Sequence, residues 1–149
     1  MIDRARIREE VVRVIDGNAE GLAYHGPSTK SNLVDVTPEL AAARPIAEGH
    51  SIWELLVHIK VDREWAIARL RGEKPEMDWW PPIRSQTSTD WKSLLSELDE
   101  VQARFLEVMQ HASEEDVVPV VRFLMHHEIY HSGQIALLRK ALGLSSRPG

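Results

Sequence analysis

Two histidines one helical turn apart carry the clearest chemical information in this sequence. His127 and His131 lie in the stretch 123–142, which contains no proline and is followed by Gly143. This pattern predicts a long helix. At about 100° per residue, positions four apart share a helix face, so both imidazoles can reach one point. Neutral imidazole binds divalent transition metals well, and the pair therefore indicates a metal site.

The helical wheel of this stretch places the pair on the face that we expect to be buried. Within roughly 60° of the histidines lie Phe123, Leu124, Gln134 and Leu138, and beside them Tyr130 and Leu137. The polar arc of the wheel points away from that face and contains Glu128, Ser132 and Arg139. Buried polar groups are costly unless they are satisfied, and a metal ion would satisfy both imidazoles.

A third ligand must come from another part of the chain, and His58 is the best candidate. It is the one other histidine inside a predicted helix near its apolar face. Glu54 and Asp62 lie one turn before and after His58, so each is a candidate to orient the ring or to act as a general base. The alternative for both is a solvated carboxylate paired with a neighbouring cation. The remaining histidines are not expected to be ligands: His25, His50 and His111 lie in or beside loops, and His126 points about 100° away from its neighbour.

Two other metal patterns match the same residues and fail. Residues 127–131 match H-E-x-x-H, in which the glutamate is the general base of a zinc protease. No His, Asp or Glu follows His131 to serve as a downstream ligand. Glu128 and His131 also match the E-x-x-H pattern of di-iron bundles, but the sequence contains no second copy.

Four long amphipathic segments predict an all-α fold, a four-helix bundle with long connections. We expect helices over 3–24, from a Ser51 cap to 71, and from a Thr89 cap to 111, and a fourth with Pro119 in its first turn. A further helical turn is expected after Thr37, with Pro38 at its first position. The loop 73–88 contains Trp79 and Trp80, which we expect to cover another part of the protein.

Length and composition limit the function classes. The 149 residues fit one domain, 1–149, with a frayed tail at 145–149. The chain contains no cysteine, so it has no disulfide, zinc ribbon or thiol nucleophile. A net charge of −5 argues against nucleic-acid binding. The sequence shows neither a membrane-spanning run nor a signal peptide, and we expect a cytoplasmic protein.

Several short motifs resemble those of the DinB-like proteins, which include the YfiT-type metal-dependent hydrolases and thiol-dependent transferases. The motifs are His-Gly-Pro-Ser at 25–28, Arg-Pro-Ile at 44–46, His-Ser-Ile-Trp-Glu-Leu at 50–55, and His-Glu-x-Tyr-His-x-Gly-Gln-Ile at 127–135. The resemblance implies a four-helix bundle that binds zinc or nickel through His58, His127 and His131. It also implies a homodimer.

Three histidines leave an open coordination position, which is typical of catalytic sites. The first hypothesis is therefore a metal-dependent enzyme acting on a small molecule, by hydrolysis or by transfer to a low-molecular-weight thiol. The second is a non-catalytic, stress-related bundle that binds a metal or a small molecule. The third is a structural bundle without metal. Tyr130 is a candidate hydrogen-bonding group near the site, with an ordinary core position as the alternative.

Overall fold

The computed structural model describes residues 1–145, and these form a helical bundle without a β-strand. Five α-helices follow one another, with a short 3₁₀ turn at Ser31–Leu33 between the first two. The helices are α1 (Arg4–Ile15), α2 (Pro38–Ala42), α3 (Ile52–Leu70), α4 (Ser88–His111) and α5 (Glu114–Ala141). The four long ones, α1, α3, α4 and α5, form the predicted four-helix bundle. The predicted frayed tail lies, apart from Ser145, outside the described residues.

The first helix is shorter than predicted, because it ends at Ile15 rather than near Tyr24. Gly17 has a φ of +82°, and its N–H donates to the carbonyl of Arg13. A side chain at Gly17 would bring a Cβ within 2.6 Å of the backbone of Gly21. Because only glycine tolerates this left-handed, closely folded backbone, the two glycines end the helix.

The caps of α3 and α4 are both capping boxes. Ser51 caps α3 as predicted, and the Ser51 N–H donates to the Glu54 carboxylate at 2.8 Å. The α4 cap is Thr87, two residues before the predicted Thr89, because Asp90 stands at the third helical position and completes the box from there. Each box satisfies backbone N–H groups that the first helical turn leaves without partners.

The fifth helix begins earlier than predicted, at Glu114, and Pro119 lies inside it rather than in its first turn. Ser113 caps this helix, and three acidic residues follow immediately. Negative charge near a helix N-terminus is favourable because of the helix dipole. These residues fix the start of the helix upstream of the proline.

The buried face of α5 differs from the predicted one. Glu128, Ser132 and Arg139, expected to point away from the core, are all at most 3 % exposed. Conversely, 42–61 % of the surface remains exposed at three residues that we placed on or beside the buried face, namely Phe123, Tyr130 and Leu137. The wheel is therefore rotated relative to the prediction, and the histidine pair lies at the border of the buried face instead of its centre.

Two apolar clusters occupy the two ends of the bundle. Along α3 one cluster contains Ala66, Ile67 and Leu70, and the other contains residues from Ile52 to Ile59. Along α5 the corresponding members lie before Met125 and after Gly133. Between the clusters lies a group that we call the polar layer: His58, Asp62 and Arg63 on α3, and His127, Glu128 and His131 on α5.

The connection before α2 packs on the polar side of α5. The Thr29 hydroxyl donates to Glu128 Oε1 at 2.6 Å, and the Asn32 amide donates to the Ser132 hydroxyl at 3.2 Å. The Arg139 guanidinium donates to the backbone carbonyl of Asn32 at 3.0 Å. These bonds satisfy polar residues that the helical periodicity predicted on the outside of the helix.

Among the described residues, no helix is both long enough and apolar enough to cross a membrane.

Ser51→Ala removes the side-chain half of the α3 capping box and should lower the free energy of unfolding by about 1 kcal/mol. Urea unfolding measures this as a lower midpoint with an unchanged slope. The control is Ser96→Ala, at an exposed position inside α4, which should change stability by less than about 0.5 kcal/mol. Equal losses in the two variants would contradict the capping role.

Candidate metal centre

Four side chains in the polar layer bring potential metal-ligating atoms together. His58 and Asp62 on α3 and His127 and His131 on α5 each offer one such atom, and all four atoms lie within 4.8 Å of one another. Three of the side chains are buried, whereas 27 % of the His127 side chain is exposed. The three histidines predicted as ligands thus converge, and Asp62 joins them.

The His58 ring is oriented by the loop before α4. Its Nδ1 donates to the backbone carbonyl of Trp79 at 2.7 Å. Because a carbonyl can only accept, this bond places the proton of the neutral ring on Nδ1 and leaves a lone pair on Nε2. That Nε2 lies 3.7 Å from Asp62 Oδ2. An outer hydrogen bond of this kind is typical of metal-ligating histidines.

The His131 ring is oriented in the same way by its own helix. Its Nδ1 lies 2.6 Å from Gln134 Oε1, and the Gln134 amide donates to the Tyr130 hydroxyl at 3.3 Å. With its amide N–H₂ used by Tyr130, Gln134 presents its oxygen to the ring and accepts the Nδ1 proton. His131 Nε2 therefore also carries a lone pair, and it accepts a hydrogen bond from the N–H of His127 Nε2 at 3.0 Å.

His127 and Asp62 complete the group without satisfying each other. His127 Nδ1 lies 2.9 Å from Asp62 Oδ2, but the ring is not oriented for a hydrogen bond, and the nitrogen has no hydrogen-bond partner among the described residues. Asp62 Oδ1 is likewise buried and without a hydrogen-bond partner in the described part of the chain. Buried polar atoms of this kind are rare and costly.

Burial determines the protonation states in the group. It lowers the pKa values of His58, His127 and His131, so that the neutral rings are favoured. Burial, with a contribution from the charge of Glu128, raises the pKa of Asp62 to about 7. Neutral imidazole is the form that binds a metal.

These residues fit a divalent cation. The His58 Nε2 lone pair, His127 Nδ1 and the Asp62 carboxylate face one another in a buried space, and among the described residues His127 Nδ1 and Asp62 Oδ1 have no hydrogen-bond partner. Electron-rich atoms at this separation repel unless a positive charge lies between them. Imidazole nitrogen and carboxylate oxygen are ligands that zinc and nickel accept.

Residues 27–135 match the sequence model of the DinB superfamily. This match covers more than half of the chain. The chain belongs to the DinB superfamily. Comparisons with curated proteins and with solved structures found no match.

The DinB assignment confirms the resemblance that the sequence motifs indicated, and the fold is the helical bundle expected for it. The superfamily match begins at Pro27 and ends at Ile135. It therefore includes the loop that contacts His58 and every member of the polar layer.

The second predicted carboxylate, Glu54, is not brought to the group. Its carboxylate accepts from the Ser51 N–H in the capping box and pairs with Arg44. His50 stacks on Trp80 instead of joining the ligating atoms. The exposed His126 is also outside the group.

Glu128 is the residue that the H-E-x-x-H pattern would make a general base, and it has another role in this DinB protein. Its carboxylate accepts from Arg63 Nη2 at 2.8 Å and from Thr29, and both charged side chains are almost fully buried. The Arg63 Nε donates to Gln102 Oε1 at 3.0 Å. Glu128 is thus the anion of a buried ion pair, on a neighbouring face of α5.

Sequence reasoning missed two groups that orient the histidines. The Trp79 carbonyl is a backbone atom, so no residue type could have indicated it. Gln134, three residues after His131, was placed on the buried face of the helix but given no hydrogen-bonding role. Its helical spacing from His131 was visible in the sequence and could have suggested a hydrogen bond.

The aromatic loop packs directly on the group. The Trp80 ring stacks on the His58 ring with centroids 4.0 Å apart. The His50 ring stacks on the other face of Trp80, with centroids 3.7 Å apart. This observation agrees with the expectation that the two tryptophans cover another part of the protein. The loop therefore shields one side of His58, while His127 remains partly exposed.

His127→Ala should abolish stoichiometric metal binding, because it removes one of the three convergent imidazoles. Elemental analysis of purified protein should give about one ion per chain in the parent and much less in the variant. The variant should also unfold at lower temperature, since it loses the stabilisation that a bound ion gives by joining His58, His127 and His131. The matched control is His126→Ala, the exposed neighbour, which should retain the metal. Unchanged metal content in His127→Ala would remove this residue from the site.

Glu128→Leu should lower the free energy of unfolding by about 3–5 kcal/mol, because it leaves the Arg63 charge buried without its partner. The double variant Arg63→Met with Glu128→Leu should regain most of that loss, since it removes both charges together. Chemical denaturation of the parent, single and double variants measures both effects. A double variant that is less stable than the single one would contradict this account of the ion pair.

Proposed function

We propose that this DinB superfamily protein is a divalent-metal-dependent enzyme that acts on a small molecule. The observation that carries the proposal is the convergence of three neutral imidazoles and one carboxylate, one of whose imidazoles, His127, has a side chain 27 % exposed to solvent. A purely structural ion needs no such access, whereas a substrate does. Zinc and nickel are the metals proposed, because the donor set suits both.

The chemistry supplied by a bound divalent ion is Lewis-acid activation of a water molecule or of a thiol cosubstrate. The first supports hydrolysis and the second supports thiol transfer. The chain contains no cysteine, so the thiol would be a separate low-molecular-weight molecule.

The side chains of the protein have distinct roles in this proposal. His58, His127 and His131 are the metal ligands. The Trp79 carbonyl and Gln134 hold the Nδ1 protons of His58 and His131, and so keep Nε2 of each ring available. Asp62 Oδ1 is the proton acceptor, since it lies beside the ligating nitrogens and has no hydrogen-bond partner among the described residues.

Exposed aromatic rings beside the histidines favour a substrate with an apolar part. Phe123 packs against His127 with ring centroids 5.1 Å apart, and Tyr130 contacts His131 at the same separation. Both rings are more than two-fifths exposed. Aromatic surface at the opening of a polar site provides binding energy for the non-reacting part of a small molecule.

A second candidate function follows from the position of Asp62. If Asp62 Oδ2 is a fourth ligand, the protein closes the metal coordination and the site is typical of a non-catalytic, metal-binding bundle.

Three further expectations stay predictions from the sequence. They are a cytoplasmic location, a homodimer and a single domain spanning 1–149.

Removal of the metal should abolish turnover in a panel of esters, amides and electrophiles, the last assayed with a low-molecular-weight thiol. After chelation, addition of zinc or nickel should restore the rate, because the polar layer retains its fold and the added ion takes the place of the one removed. Failure of the whole panel to show metal-dependent turnover would contradict the proposed enzyme.

Asp62→Asn separates the two candidate functions. As a proton acceptor, Asp62 should be needed for rate, and its loss should lower kcat by about 10²- to 10⁴-fold while metal content is retained. His126→Ala is the control for both measurements. Two results together would instead support the closed site. They are loss of the metal in Asp62→Asn and the absence of exchangeable water at the ion in the parent.

A further inference from the structure

A separate cavity of about 300 Å³ lies between the 29–34 segment, α3 and α4. Its lining includes Arg63 and Glu128 but none of His58, Asp62, His127 and His131. The cavity therefore lies on a face of α3 and α5 adjacent to the metal centre and distinct from it. Its volume is at the lower end of the range for small-molecule sites.

Most of the cavity wall is apolar. Seven aliphatic side chains from four elements contribute to it, namely Ile15, Leu33, Val34, Leu56, Ile59, Leu95 and Leu98. Several of these are only partly buried, and Val34 is 41 % exposed. An apolar wall that is not filled by the protein's own side chains leaves dispersion contacts unmade, and a small apolar molecule would supply them.

The charged groups of the lining are already paired with groups of opposite charge. Lys30, at the mouth, contacts Asp16 at 2.6 Å and Asp99 at 2.7 Å. Deeper in the wall, Arg63 is paired with Glu128. No lining cation is therefore left without a carboxylate among the described residues, so the cavity favours an uncharged ligand over an anion or a cation.

One polar donor in the wall has no partner. Gln102 is 6 % exposed, and its Oε1 accepts from Arg63 Nε. This bond leaves the Gln102 Nε2 group as a buried donor without a hydrogen-bond partner in the described part of the chain. An unsatisfied buried donor is costly, and a ligand oxygen near this wall would remove that cost.

We propose that this cavity binds an uncharged, mainly apolar small molecule that carries a carbonyl or hydroxyl oxygen. The aliphatic wall contacts the apolar part, and Gln102 Nε2 donates to the oxygen. The molecule enters beside Lys30, Val34 and Asp99, whose side chains are substantially exposed. Binding of this molecule needs no metal, because none of the proposed metal-ligating residues lines the cavity.

Acetophenone and ethylbenzene form a suitable pair of probes, since they are similar in size and only the ketone offers an acceptor. Titration of metal-free, ¹⁵N-labelled protein should give saturable chemical-shift changes in the 29–34 segment and around Leu95 and Leu98 for both probes. The Gln102 side-chain amide should shift only with acetophenone. Metal-free protein separates this test from the proposed enzyme activity.

Gln102→Leu should weaken acetophenone binding by about three- to tenfold, the range for one hydrogen bond, and leave ethylbenzene binding unchanged. Leu98→Trp should abolish the binding of both probes by filling the cavity, and Leu98→Phe is the milder alternative if the larger residue disturbs folding. Leu137→Trp, on the exposed face of α5, is the control and should bind like the parent.

Three results would overturn the proposal. They are the absence of saturation by either probe, shifts centred on His127 and His131 instead of the cavity, and binding that survives both substitutions at Leu98. An equal loss for both probes in Gln102→Leu would overturn the proposed hydrogen bond.

Discussion

The burial of polar groups where α3 packs against α5 is the constraint on which the rest of this structure depends. The two helices meet between two apolar clusters, and the side chains in between are charged or polar. Every buried polar atom there must find a partner, or the bundle loses stability. The polar layer meets this requirement in two different ways.

One half of the layer is satisfied by the protein itself. Arg63 and Glu128 neutralise each other, and Thr29 and Gln102 occupy further hydrogen-bonding positions on the pair. The other half is not satisfied internally. Asp62 and His127 each retain a buried atom without a hydrogen-bond partner among the described residues, and the Nε2 lone pair of His58 faces the same space. This difference explains why the first half of the layer stabilises the fold and the second half is a candidate site for a cation.

The fold and most of the site could be predicted from the sequence, and the errors have a common physical cause. The pairing of His127 and His131 followed from helical spacing, since residues four apart share a face, and His58 followed from its place near the apolar face of another predicted helix. The orientation of α5 did not follow, because burial was equated with apolarity. Glu128, Ser132 and Arg139 are buried since other segments supply their hydrogen bonds, and such long-range partners leave no trace in local periodicity. Likewise, the end of α1 depends on the close approach of Gly17 to Gly21, which composition alone did not indicate.

The central claim is that the three imidazoles bind one divalent ion, and a crystal structure of zinc-loaded protein with anomalous scattering at the zinc edge tests it most directly. The account predicts one strong anomalous peak in the polar layer, at about 2.0–2.1 Å from a ring nitrogen of each of His58, His127 and His131. A peak bound by other residues, or a polar layer without any peak in zinc-saturated crystals, would contradict it.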